Sequence, residues 1–82
     1  MDRDELLKHI SADPRVCFGK PCIRGTRIWV SLVLGLLAGG MSEAELIEEY
    51  GLTHDHIRAA LAYGAAAAAE KFIPIPLERA AG

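Results

Sequence analysis

The sequence is poor in the residues from which staples, anchors and catalytic centres are made. Only two cysteines, Cys17 and Cys22, occur among its 82 residues, too few for the disulfide framework of a small secreted domain. Residues 1–9 are mostly charged and do not read as a signal peptide, so a reducing cytoplasm is the expected location. The longest apolar stretch, residues 28–41, falls short of the ~20 needed to cross a bilayer, so no membrane span is expected and the stretch reads as a buried helix.

Catalytic groupings are equally scarce. His9 is the histidine nearest the cysteines in sequence, and no orienting group accompanies it, so the nucleophile, base and orienter of covalent catalysis are missing and no enzyme is expected. Gly19-Lys20-Pro21 and Gly25-Thr26 lack the glycine spacing and the Lys-Ser/Thr pair of a phosphate loop. Cys17 and Cys22 have no second cysteine or histidine pair to complete a zinc site, and read as small buried hydrophobes facing each other across a hairpin. His54 and His56 stand two apart on a predicted helix, hence on different faces, whereas helical metal pairs stand three or four apart. Both read as surface histidines, and no metal or cofactor is expected.

What is abundant is aliphatic bulk. Hydrophobic residues make up 51% of the chain, yet a domain this small buries only about 60% of its unfolded surface on folding alone. A homodimer sharing a strand edge or a helix face would cover the surplus. The formal net charge is −2, but the charges are segregated. Arg15, Lys20, Arg24 and Arg27 occur in residues 14–30 without an acid, while Glu43, Glu45, Glu48 and Glu49 cluster without a base. One surface is therefore basic and another acidic.

Along the chain, residues 1–9 read as an extension or one short helix. Residues 10–30 hold short β-compatible pieces broken at Asp13-Pro14, Gly19-Lys20-Pro21 and Arg24-Gly25-Thr26, which predicts two or three very short strands. Residues 28–40 form the first convincing helix, with Val30, Val33, Leu34 and Leu37 apolar and Gly39-Gly40 ending it. Ser42-Glu43-Ala44-Glu45 matches a capping box and opens a second helix that runs to about Tyr50, where Gly51 supplies a left-handed stop. Thr53 then caps a third helix over residues 54–72, alanine-rich at 65–69. Beyond it, Pro74 and Pro76 favour an extended tail over residues 74–82. Residues 10–73 thus read as a single, mainly α domain: three helices in a helix-turn-helix arrangement, preceded by a short strand or hairpin segment.

Helix, glycine turn, helix over residues 42–61 is the arrangement that presents one helix to a DNA major groove, and it also occurs in helical domains that never meet DNA. Leu46, Ile47, Leu52 and Ile57 would hold the two helices at their angle. Thr53, His54, Asp55 and Arg58 would face the groove, and Arg15, Lys20, Arg24 and Arg27 would supply phosphate contacts. With one Arg and many alanines on the third helix, base discrimination would be modest. Trp29, where the strand segment meets the first helix, suits core or dimer packing as well as stacking on nucleic acid.

The run Asp13-Pro14, Gly19-Lys20-Pro21, Ile23, Gly25-Thr26-Arg27-Ile28 and Val30, followed by Gly40-Met41-Ser42, Ile47, Tyr50 and Leu52-Thr53, closely resembles the domain-of-unknown-function family 433 over about residues 9–73. The resemblance implies a VapB-type antitoxin with a homeodomain-like helix-turn-helix. Such a protein would be dimeric, would be encoded beside a toxin of PIN-like nuclease fold, and would bind its own promoter DNA. Toxin contact would lie outside the helix-turn-helix, with Phe72, Ile73, Ile75 and Leu77 as candidate partner-binding residues. A non-catalytic dimeric interaction module that never touches nucleic acid is the alternative reading.

Overall fold

A computed structural model describes residues 2–70. The chain begins with a helix set by its own acids: the Asp2 carboxylate accepts from the Glu5 amide at 2.9 Å and caps α1 (Arg3–Leu7), whose first turn carries Asp4 and Glu5. Leu6 is the residue this short helix buries.

Two strands follow, each two residues long. β1 (Ile10–Ser11) pairs antiparallel with β2 (Cys22–Ile23) in the register Ile10 to Ile23 and Ser11 to Cys22. An isolated bridge from Cys22 to Trp29 and the bond from the Ile23 amide to the Ile28 carbonyl prolong the ladder. The turn between them is built by its residues: Gly25 takes φ 82°, the Thr26 amide bonds the Ile23 carbonyl, and the Thr26 hydroxyl donates to that carbonyl while accepting from the Ile28 amide. Extended pairing therefore persists to Trp29, and the next helix starts at Val30 rather than at the expected Ile28.

Between the strands the backbone turns left-handed at Cys17 (φ 52°), Phe18 (φ 57°) and Gly19 (φ 79°). The Gly19 amide bonds the Val16 carbonyl and the Lys20 amide bonds the Cys17 carbonyl, giving one turn of 3-10 spacing. Glycine adopts this conformation freely, but each non-glycine residue in it costs roughly 1–2 kcal/mol.

α2 (Val30–Ala38) ends in a Schellman motif: Met41 N–H bonds Leu36 O, Gly40 N–H bonds Leu37 O, and Gly40 takes φ 105°. α3 (Glu43–Tyr50) opens on the complete Ser42–Glu45 capping box and stops at left-handed Gly51, as its residues predict. Ser42 holds the Glu45 carboxyl below its ordinary range, through its backbone amide first and its hydroxyl second. α4 (His54–Glu70) follows after three residues, Gly51, Leu52 and Thr53.

Ile23, Val30, Val33, Leu46, Leu52, Ile57 and Ala60 form the buried cluster, with Ile10, Leu34, Leu37, Met41, Ile47 and Tyr63 packed against it. Gly64 on α4 gives room to Leu34, since a Cβ there would lie 3.0 Å from Leu34 Cδ1. Among the described residues the architecture is mainly helical, four helices and a two-strand hairpin, with α1 taking the short-helix option for residues 1–9 ahead of the three other helices.

Candidate functional site

The basic candidates of the hairpin differ sharply in what their side chains do. Arg24 is turned onto the backbone: Nε donates to the Lys8 carbonyl at 2.7 Å and Nη2 to the Ile10 carbonyl at 2.8 Å. It thereby ties β2 to the end of α1, where a cation also suits the helix dipole. Arg15 forms a two-pronged pair with Asp13, Nε to Oδ1 at 3.2 Å and Nη2 to Oδ2 at 3.1 Å. That pair holds the Asp13 carboxyl below its ordinary range, with the Arg15 backbone amide helping. Its Arg side chain is 89% exposed, so the pair adds little stability. Lys20 Nζ lies 4.4 Å from the Trp29 ring centroid, a cation–π contact. Arg27 is exposed and takes part in no ion pair among the described residues.

Two hollows flank this hairpin. Asp13, Arg24, Thr26 and Arg27 help to line an open groove of ≈ 860 Å³. Arg15, Phe18, Arg27 and Trp29 share a smaller one of ≈ 310 Å³. Arg27 is common to both. None of the α4 candidates lines either hollow.

At the start of α4 the side chains serve the helix first. The Thr53 hydroxyl accepts from the His56 amide at 3.1 Å, and His56 Nδ1 accepts from the Thr53 amide at 3.2 Å. This is a capping box in which imidazole replaces the usual Glu or Gln. His56 is therefore half-buried rather than a surface histidine, and its ring meets His9 edge-on at 5.5 Å. That contact sets the first turn of α4 against the segment that Arg24 clamps. His54 is exposed, with Nδ1 3.9 Å from Glu43 Oε1, an ion pair when the imidazole is protonated. Asp55 is half-buried, and Arg58 is exposed beside buried Ile57 and Ala59.

Burial, and then the His9 charge, push the His56 pKa below its ordinary 6.5. The native state thus favours neutral imidazole, which its acceptor role requires. Unfolded His56 takes up a proton as pH falls through about 6.5 while folded His56 resists, so this contribution to stability is complete above that value and is lost below it. His56→Gln keeps an acceptor at the capping position and is expected to flatten the pH dependence of the melting temperature between pH 7 and 5. An unchanged slope would assign the acid sensitivity to other groups.

Both cysteines are buried and unpaired. The Cys17 thiol donates to the Arg27 carbonyl at 3.3 Å, and burial, followed by the neighbouring Cys22, raises its pKa. A thiol held protonated is a weak nucleophile. Trp29 is half-buried. Phe18, which the sequence did not mark, stands 90% exposed at the left-handed turn. No composition signal announces it, because nothing in a Cys-Phe pair favours positive φ. Phe72, Ile73, Ile75 and Leu77 lie outside the described residues. Within the described residues no helix is long and apolar enough to cross a membrane.

The glycine-punctuated hairpin with the capped helices behind it defines the class. The model of the family described as a protein of unknown function, DUF433, matches residues 10–64, and the chain belongs to that family. It is similar to the crystal structure of a DUF433 member protein from Anabaena variabilis ATCC 29413, with 32% identity over 82% of this chain and 67% of that one and a TM-score of 0.71. No curated protein matches.

Proposed function

We propose that the chain is a non-catalytic, self-associating antitoxin of a type II toxin–antitoxin pair in the cytoplasm, binding a PIN-like toxin and its own promoter DNA. The observation that carries the DNA half is the α3–α4 unit. Two separately capped helices meet at left-handed Gly51, share the buried Leu46, Leu52 and Ile57, and leave Arg58 exposed on the second helix. These features support reading the unit as a homeodomain-like helix-turn-helix. Arg27, Lys20 and Arg58 are the phosphate-contact residues in this reading, because Arg24 is held by backbone carbonyls and Arg15 by Asp13.

Gel retardation with the DNA upstream of the reading frame tests it. Arg27→Gln with Arg58→Gln is expected to weaken binding to all sequences alike and to reduce the slope of log affinity against log salt by about 0.9 per contact removed. Retention equal to wild type at every salt concentration would remove these two arginines from the interface, and no retardation by the wild type would remove DNA from the function. For the toxin half, co-expression with the adjacent reading frame is expected to yield one complex on sizing, and separate elution would refute it.

The occupied guanidinium groups of Arg24 and Arg15 favour a second reading, a dimeric protein-interaction module without nucleic acid. It predicts a stable partner complex together with no retardation of DNA.

A further inference from the structure

Phe18 serves no packing purpose among the described residues. Its ring is 90% exposed, and its backbone sits at φ 57° beside Cys17 at φ 52°, where a bulky L-residue is an outlier. Asn or Gly would hold the same turn with less strain. Backbone outliers of this kind gather where a chain makes contact with something else.

The surroundings of the ring define what it contacts. Arg15 and Arg27 are exposed and share a hollow with it, Trp29 is half-buried beside it with exposed Lys20 over the indole, and the nearby acid Asp13 is already paired with Arg15. The turn is thus aromatic and cationic. The same chain carries the complement on α3: Glu48 and Glu49 are exposed and make no ion pair among the described residues, and Tyr50 next to them is 37% exposed. Glu45 is held in its capping box and Glu43 lies against His54. Glu48, Glu49 and Tyr50 therefore form an anionic, aromatic end of the helix.

We propose that the Phe18 turn of one copy docks on α3 of a second copy, with the Phe18 ring against Tyr50 and Lys20 and Arg27 against Glu48 and Glu49, a pairing that takes these two cations from phosphate and leaves Arg58 to it. In a two-fold pair the contact is made twice. The inference rests on the reading that the chain self-associates and assigns that association to named surfaces.

Sedimentation of the full chain across concentration and salt tests it. Wild type is expected to dimerise, more weakly at high salt. Phe18→Asn is expected to weaken the dimer by about 30-fold, as loss of a central aromatic anchor does, while its melting temperature as a monomer holds or rises. Glu48→Lys with Glu49→Lys places cations at a helix C-terminus, where folding tolerates them. That variant is expected to lose dimerisation and to regain it in a mixture with Arg27→Glu. A dimer indifferent to all these changes would overturn this contact and leave self-association standing. A wild type monomeric at every concentration would overturn both. Loss of DNA retention in Phe18→Asn with an unchanged dimer would assign the turn to nucleic acid and overturn the proposal.

Discussion

Truncating Ile57 to alanine is expected to lower the unfolding free energy by about 2–5 kcal/mol, the range for deleting a fully buried branched side chain that leaves a cavity. Ile57 is 0% exposed in the first turns of α4 and shares its cluster with Leu46 of α3, Leu52 of the turn and Val33 of α2. No other described residue of α4 combines that burial with that bulk, since its buried neighbours Ala59 and Ala60 are small. A domain of this size has a total stability of about 5–10 kcal/mol, so the variant is expected to lose a large share of it. Urea melts followed by circular dichroism measure the effect. A loss below about 1 kcal/mol, the typical scale for an average substitution, would mean that α4 is not seated as described.

Arg24→Ala carries the second large effect. It removes two short, charge-assisted bonds to the carbonyls of Lys8 and Ile10 and is expected to cost about 2 kcal/mol, discounted for exposure from the value of two such bonds in a buried site. Arg24→Lys should recover less than half of that, because an ammonium on a flexible stem cannot fork between two carbonyls. A change within ±0.5 kcal/mol, the scale of an ordinary surface position, would refute the clamp. The prediction also bears on function. A DNA-binding defect in an Arg24 variant is interpretable only beside its melting curve, and one in an Arg27 variant only beside its sedimentation, whereas Arg58 has no comparable structural bonds among the described residues.

The parts of this fold that were legible in the sequence are those that local chemistry decides. Ser42 with Glu45 three positions later, and glycine at 40 and 51, mark helix ends because they supply a side-chain acceptor or a left-handed residue, and the helices end there. The two-residue strands were legible from the turn residues around them. What was not legible depends on direction in space. Composition shows that Arg15, Lys20, Arg24 and Arg27 are positive, but not that one would point at backbone carbonyls, one at Asp13 and one over Trp29. His56 was read by its spacing from His54, whereas its environment is set by His9, a residue 47 positions away (56 − 9) that α1 and β1 bring to it. The left-handed Cys17-Phe18 pair had no sequence mark because its residue types disfavour what they do.

Trp29 is the sole indole of the chain and sits at the joint between the hairpin and α2, with an ammonium over its ring and a thiol nearby. Its emission therefore reports a single locus, while far-ultraviolet dichroism is dominated by α2, α3 and α4. If the two signals melt together, the hairpin and the helices form one cooperative unit. If the emission shifts first, the glycine-punctuated hairpin opens as a separate foldon while the bundle stays folded.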